Sequence, residues 1–498
     1  AVEAAGAKTT EDNCKWSAAK PTPAALADGA VNGAVRTGNA YQLSAVHCPT
    51  ATIILLAPGV TIELTGTPLT LHYGHAIEVR AIGPAGATID AKGLSRVFTI
   101  GGEDNGDTCE VWCTAPCSQL NGQDLCSECG GCDLLHGCNA NNCDAARVRA
   151  RALGVGTTPP GAALELHNVH LTNGEAPEGG AVALYGTTKY ATLTMYGGSI
   201  SVSKAVGGAE GSQTNGGGGA VLLQGSGDQM MPTDERVITG LFIHGASILG
   251  CEALTDGGGL LVNNGPFRLV GATIAGCTAG MYGGGLSNKL SSPSVIVGGS
   301  FSGCTAAIGG GGYHQQEGNV GISGGATWEG CTTTNMESTF SYFNTEVMGG
   351  GLLATDRANL DLADVTIRGS RGGNLNLRGD SQLVMVRTLI EGGVGKWGAG
   401  LGMVGGEARV SDSTIRGTDA GKFNGGGGAY LRSGATLTCD RCRIVENAGM
   451  YGGGMVVEGG ATATVRDSII ANNGGASGQY NGGMAGPRPT PRGGCLFG

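Results

Sequence analysis

The amino-acid sequence predicts an all-β chain wound as one long parallel solenoid. Three observations carry that expectation. Glycine supplies 97 of the 498 residues, a short phrase returns through most of the chain, and most returns are followed by a glycine cluster and an apolar run. Glycine far above its usual ~7% share has other readings. Disorder is excluded by 40% hydrophobic against 14% charged residues. Collagen is excluded because the run GGGG at 216–219 breaks an every-third register. Helical bundles are excluded because each interior glycine costs roughly 1 kcal/mol.

The phrase is clearest at four cysteines, 251, 277, 304 and 331, spaced by 26, 27 and 27. They close GASILGC, GATIAGC, GGSFSGC and GATWEGC, and the phrase recurs without cysteine as DVTIRGS, DSTIRGT and DSIIANN. Its central hydrophobe is Leu171, Ile200, Ile248, Ile274, Phe301, Trp328, Ile367, Ile390, Ile415, Ile444 and Ile470. Pieces this short bury no face alone, but stacked coils share one core. Each hydrophobe is therefore expected above its equivalent, about 4.8 Å along the axis. Three residues later a second row is expected from Gly174, Ser203, the four cysteines, Ser370, Gly393, Thr418, Asn447 and Asn473. The glycine clusters (GGAVAL at 179–184, GGGLLV at 257–262, GGGLLA at 349–354) supply turns and close backbone approach.

In chain order, residues 1–30 form a polar lead that caps the first coil, with Cys14 and Cys48 placed to staple it. Residues 31–101 hold the first coils, on the apolar pieces Thr52–Leu56, Val60–Leu64 and Ala76–Val79. An interruption over 102–160 carries Cys109, Cys113, Cys117, Cys126, Cys129, Cys132, Cys138 and Cys143, an even set whose pairing the sequence leaves open. The flanks TIDAKGLSRVFTI (88–100) and LELHNVHLTN (164–173) read as consecutive, so the interruption is a small module bulging from one coil. The main solenoid covers 161–485, for roughly 13 coils in all. Its longer turns are 203–240 and 332–348, the second holding Phe340, Tyr342 and Phe343. A Pro/Gly-rich tail, 486–498, contains Cys495.

GGAV at 179–182, IVEN at 444–447 and IIAN at 469–472 carry a family resemblance. The chain resembles the right-handed parallel β-helix (pectin-lyase-like) superfamily. More narrowly it is similar to the GGA[IL] and FxxN-type repeats of polymorphic outer-membrane proteins and related secreted adhesins. The resemblance implies a right-handed winding over roughly residues 30–485, and a fold that hosts both enzymes and structural proteins.

The cysteine content, 17 in all, fits an oxidising compartment and a secreted or cell-surface location. Stacking sets Cys251, Cys277, Cys304 and Cys331 inside the 4.4–6.8 Å Cα range of a disulfide. They either bridge as 251–277 and 304–331 or stay a buried thiol ladder. Cys126-x2-Cys129-x2-Cys132 and Cys439-x2-Cys442 have zinc-like spacing, yet cysteine density in a secreted chain favours disulfides. Since 17 is odd, one cysteine lacks a partner in the chain, and Cys495 is the candidate for an intermolecular bond.

Catalytic constellations are not evident. Glycoside hydrolysis needs two carboxylates acting together, and no Asp-Asp pair occurs. Asp364, Asp412 and Asp467 recur regularly, three residues before the row hydrophobe, and read as solvated or turn-capping. Gly74-His75-Ala76 only approaches a hydrolase GHG, and Arg147, Arg149 and Arg151 sit at the exit of the cysteine-rich module. Neither a cofactor nor a metal site is expected. A net charge of -10 argues against nucleic acid, and no apolar run is long enough for a membrane span. Phe340, Tyr342, Phe343 and Trp397 are candidate partner contacts. The expected role is a non-enzymatic structural or adhesive subunit of an extracellular filament or cell-surface assembly. It would contact further copies, another matrix or surface protein, or glycans. The alternative is a polysaccharide lyase, a glycoside hydrolase or a glycan-binding protein.

Overall fold

The computed structural model describes residues 52–71, 73, 76–101, 161–186, 190–207, 216–225, 239–334, 349–421 and 425–475. It also describes the short strands Ala30–Val31, Ala34–Thr37, Ala40–Leu43, Met484–Ala485, Thr490–Arg492 and Leu496–Phe497. Every element among them is a strand or a turn. One coil shows the plan. Ala162–His167 makes a long face, Val169–Thr172 the face of the hydrophobe row, Glu175–Ala176 a short face and Val182–Gly186 a face entered through glycines. The next coil begins at Ala191–Tyr196, paired in parallel with Ala162–His167 residue for residue.

The hydrophobe row forms as the sequence predicts. Leu171 pairs with Ile200, Ile200 with Ile248, Ile248 with Ile274, Ile274 with Phe301 and Phe301 with Trp328. The row continues through Ile367, Ile390, Ile415, Ile444 and Ile470. It also reaches back to Ile62 and Ile89 and forward to Phe497. All eleven predicted members are essentially sealed from solvent. Phe301 and Trp328 stack nearly parallel with ring centroids 4.8 Å apart, the spacing of neighbouring coils. Ile89 pairs with Leu171 and Phe98 with Val182, so the register runs unbroken between the residues on either side of 102–160.

The start differs from expectation. Ala30–Val31, Ala34–Thr37 and Ala40–Leu43 form an antiparallel meander, not coils. Its last strand pairs in parallel with Thr61–Ile62. Reversed strands cannot propagate the winding, and they cover an edge that would otherwise template another chain.

The glycine face explains the composition. Gly257, Gly258 and Gly259 precede the strand Leu260–Asn263, and each is required for a different reason. Gly257 adopts φ +67, which folds the preceding turn back over its own strand. A Cβ on Gly258 would lie 2.3 Å from Gly284 O and 2.5 Å from Thr278 O, both on the next coil. A Cβ on Gly259 would meet Gly285 O at 2.5 Å and crowd Ile274 and Cys277. Gly283–Gly285 and Gly310–Gly312 repeat the same contacts. The folded-back turn also buries the outward side of this face. Leu222, Leu261, Ser287, His314, Leu353 and Tyr430 are all shielded although they point away from the core.

Gly258→Ala is expected to lower the melting temperature strongly, because main-chain atoms of the neighbouring coil cannot yield. Gly276→Ala, at φ +62 with nothing near its Cβ, should cost only about 1–2 kcal/mol of left-handed strain. Thermal melts of the two variants side by side check the contrast; equal losses would contradict it.

Candidate functional site

The row three residues after the hydrophobes holds glycines and small polar side chains, among which the asparagines and cysteines donate hydrogen bonds across coils. Asn447 Nδ2 donates to Ile415 O at 3.1 Å and Asn473 Nδ2 to Ile444 O at 2.9 Å, each reaching the preceding coil. The thiols do the same work. Cys251, Cys277, Cys304 and Cys331 reach Ile200 O, Ile248 O, Ile274 O and Phe301 O at 3.6–3.9 Å, and each shares its single thiol proton with a carbonyl two residues back in its own coil at 3.5–3.7 Å. Cysteine thus replaces asparagine as a smaller, weaker donor to the same acceptor.

These four residues, with Cys439 and Cys442, are free cysteines in the structure. The bridges 251–277 and 304–331 are therefore corrected in favour of the buried thiol ladder, and Cys439 and Cys442, expected in disulfides, are in none. Cα spacing alone was a poor criterion. Translation along a parallel ladder keeps Cβ–Cβ equal to the ~4.8 Å strand spacing, beyond the ~3.5–4.5 Å a disulfide requires. Neighbouring thiols and burial hold Cys277 and Cys331 well above the ordinary thiol range, so nucleophilic thiolate is disfavoured there. Cys442 instead donates to Val410 O at 3.4 Å.

A corner three residues before each hydrophobe is left-handed. Gly245, Gly271 and Gly298 hold it in some coils; Asp364, Arg387, Asp412, Arg441 and Asp467 hold it later, at φ +46 to +58. Aspartate tolerates this conformation and its neighbours supply the countercharge. Arg387 pairs with Asp364 at 2.7 Å and Arg441 with Asp412 at 2.6 Å. One residue after the hydrophobes runs a second alternating row, Glu329, Arg368, Glu391 and Arg416, paired at 2.8 and 2.5 Å. The regular aspartates are turn residues, and Arg387 and Arg441 hold Asp364 and Asp412 below the usual carboxylate range.

Only one mixed group of potential metal-binding side chains occurs among the described residues: Glu78, Glu165 and His167. Period-two alternation places all three on the outer side of the long face, on neighbouring coils. His167 Nε2 lies 2.6 Å from Glu165 Oε1 and 3.6 Å from Glu78 Oε1, and Arg80 pairs with Glu78 at 2.5 Å. The rings of His167, Tyr196 and His244 stack up the same wall at 4.8 and 5.0 Å. Stacked rings cover one another's faces and offer solvent only their edges. Sequence reasoning missed this cluster because Glu78 and Glu165 are 87 positions apart in the chain. Pairing ELH (165–167) with EVR (78–80) across the interruption would have found it.

Trp397 is half-buried, its ring 5.1 Å from the sealed Tyr430, packed on the solenoid's own wall. Phe340, Tyr342, Phe343, Cys495 and Cys14, Cys48, Cys109, Cys113, Cys117, Cys126, Cys129, Cys132, Cys138 and Cys143 lie outside the described residues.

The family described as right handed beta helix region matches residues 319–488. The fold is a right-handed parallel β-helix. Neither a curated protein nor a solved structure matches the chain. The match covers the C-terminal coils, and the same registers continue through the N-terminal ones, consistent with the pectin-lyase-like superfamily.

Under the folded-back turn, His314 lies between Ser287 Oγ (3.3 Å) and Thr355 Oγ1 (3.2 Å), stacked on Tyr282. Burial pushes its pKa down to about 4; Lys289 and Arg378 add to that lowering, and Asp256 and Asp356 oppose it. The unfolded chain binds this proton below about 6.5 and the native protein only below about 4. Stability therefore falls as pH drops from 6.5 to 4, by roughly 3 kcal/mol from this group. His314→Gln should remove that component. Denaturant titrations at pH 4.5 and 7 check it; an unchanged pH difference in the variant would contradict it.

Proposed function

We propose that the chain is a secreted, non-enzymatic β-helix that serves as a structural or adhesive subunit of an extracellular filament or cell-surface assembly. The repeats resembling those of polymorphic outer-membrane proteins and adhesins agree with that role. The observation that carries the reading is how the outer wall uses its charges. Along the C-terminal coils eight acidic and basic side chains pair between coils in two alternating rows. Such a wall suits a rigid spacer more than a reaction site. Free copies of this chain are the first candidate partner, with Cys495 as the covalent link and Phe340, Tyr342 and Phe343 as contacts.

A second reading, action on or binding of polysaccharide, is favoured by one observation. The Glu78 and Glu165 carboxylates lie side by side on neighbouring coils, less than 4.8 Å apart, and glycoside hydrolysis uses two such carboxylates together.

Full-length protein incubated with uronate and neutral polysaccharides is expected to give no turnover above background. Turnover that Glu165→Gln abolishes would replace the first reading with the second. On non-reducing gels the wild type should show covalent multimers that Cys495→Ser removes. Multimers that persist in the variant would count against the proposed link.

A further inference from the structure

Glu78, Glu165 and His167 offer one nitrogen and two carboxylate ligands from adjacent coils, all within 4.8 Å of one another. Three features separate this group from a solvated acidic patch. The imidazole is fixed edge-on by its stack on Tyr196, with Nε2 directed at both carboxylates. Glu78 Oε1 is shielded from water, and the Arg80 guanidinium lies against it as a countercharge. The separations also suit a small ion. Tetrahedral zinc with bonds of ~2.0–2.1 Å sets its ligand atoms about 3.3 Å apart. The observed 2.6 and 3.6 Å bracket that value.

We propose that Glu78, Glu165 and His167 form a three-ligand site for a divalent transition metal of the zinc class on the outer wall of the solenoid. Nitrogen with carboxylate oxygen selects zinc, cobalt or manganese over calcium and magnesium. The fourth position faces solvent. Arg80, half exposed, turns to the second oxygen of Glu78 when the ion enters. The site joins the two coils on either side of the 102–160 interruption, and it stands whether the chain assembles or acts on polysaccharide.

The test uses full-length protein stripped of metal with a chelator. Zinc chloride is titrated by equilibrium dialysis into wild type, Glu165→Gln and His167→Gln, since the cysteines elsewhere bind zinc in all three alike. The wild type should take up one equivalent more than either variant. Independently of any variant, zinc should slow diethyl pyrocarbonate modification of His167 in the wild type at least tenfold, read by peptide mass spectrometry. Equal stoichiometry in variants of native circular dichroism, or a modification rate of His167 unchanged by zinc, would overturn the proposal.

Discussion

At the glycine triplets the main chains of neighbouring coils come into direct contact, and this contact holds those coils at the spacing of the parallel ladder. Gly258 sits 2.3 Å, by a virtual Cβ, from the carbonyl of Gly284, so no side chain fits between the coils. Gly259 opens the space that the next coil's Ile274 and Cys277 occupy. Once the rise is fixed there, the hydrophobes must stack flat, the donors three residues on must reach one coil back, and outward side chains must meet their equivalents. The alternating charge rows and the His167–Tyr196–His244 stack are consequences of that spacing.

The same contact accounts for the thiols. A position that faces a preceding carbonyl at a set distance needs a small donor, and asparagine and cysteine both meet the need. Asn447 and Asn473 give the stronger bond. Cysteine suits coils where Phe301 and Trp328 already fill the interior, because its compact side chain leaves room beside the rings. These cysteines are structural, and their stacking geometry opposes the disulfides their spacing first suggests.

Much of this was legible in the sequence because each coil repeats its instruction. All eleven row hydrophobes and the donor row three residues later could be numbered from spacing alone. The left-handed corners were half legible. Glycine in the earlier coils and aspartate in the later ones stand there for one reason, but Arg387 and Arg441 hide it, since arginine is not a turn residue. The folded-back turn that buries His314 was illegible, because apolar Leu261 and polar His314 hold equivalent places and no periodicity marks them. The Glu78–Glu165–His167 group was illegible for a different reason: its ligands become neighbours only when coils separated by the interruption are set in register.

Spin labels on Ala275 and Arg416, attached through encoded ketone side chains to leave the cysteines alone, test the winding most directly. Both residues follow the row hydrophobe, and five rungs separate them. At about 4.8 Å per rung the electron–electron dipolar distance between their backbones should be about 24 Å, in one narrow population. A label pair on Ser201 and Arg416, seven rungs apart, should read about 34 Å. A broad distribution, or an increment between the two pairs that departs from two rungs, would contradict the in-register solenoid.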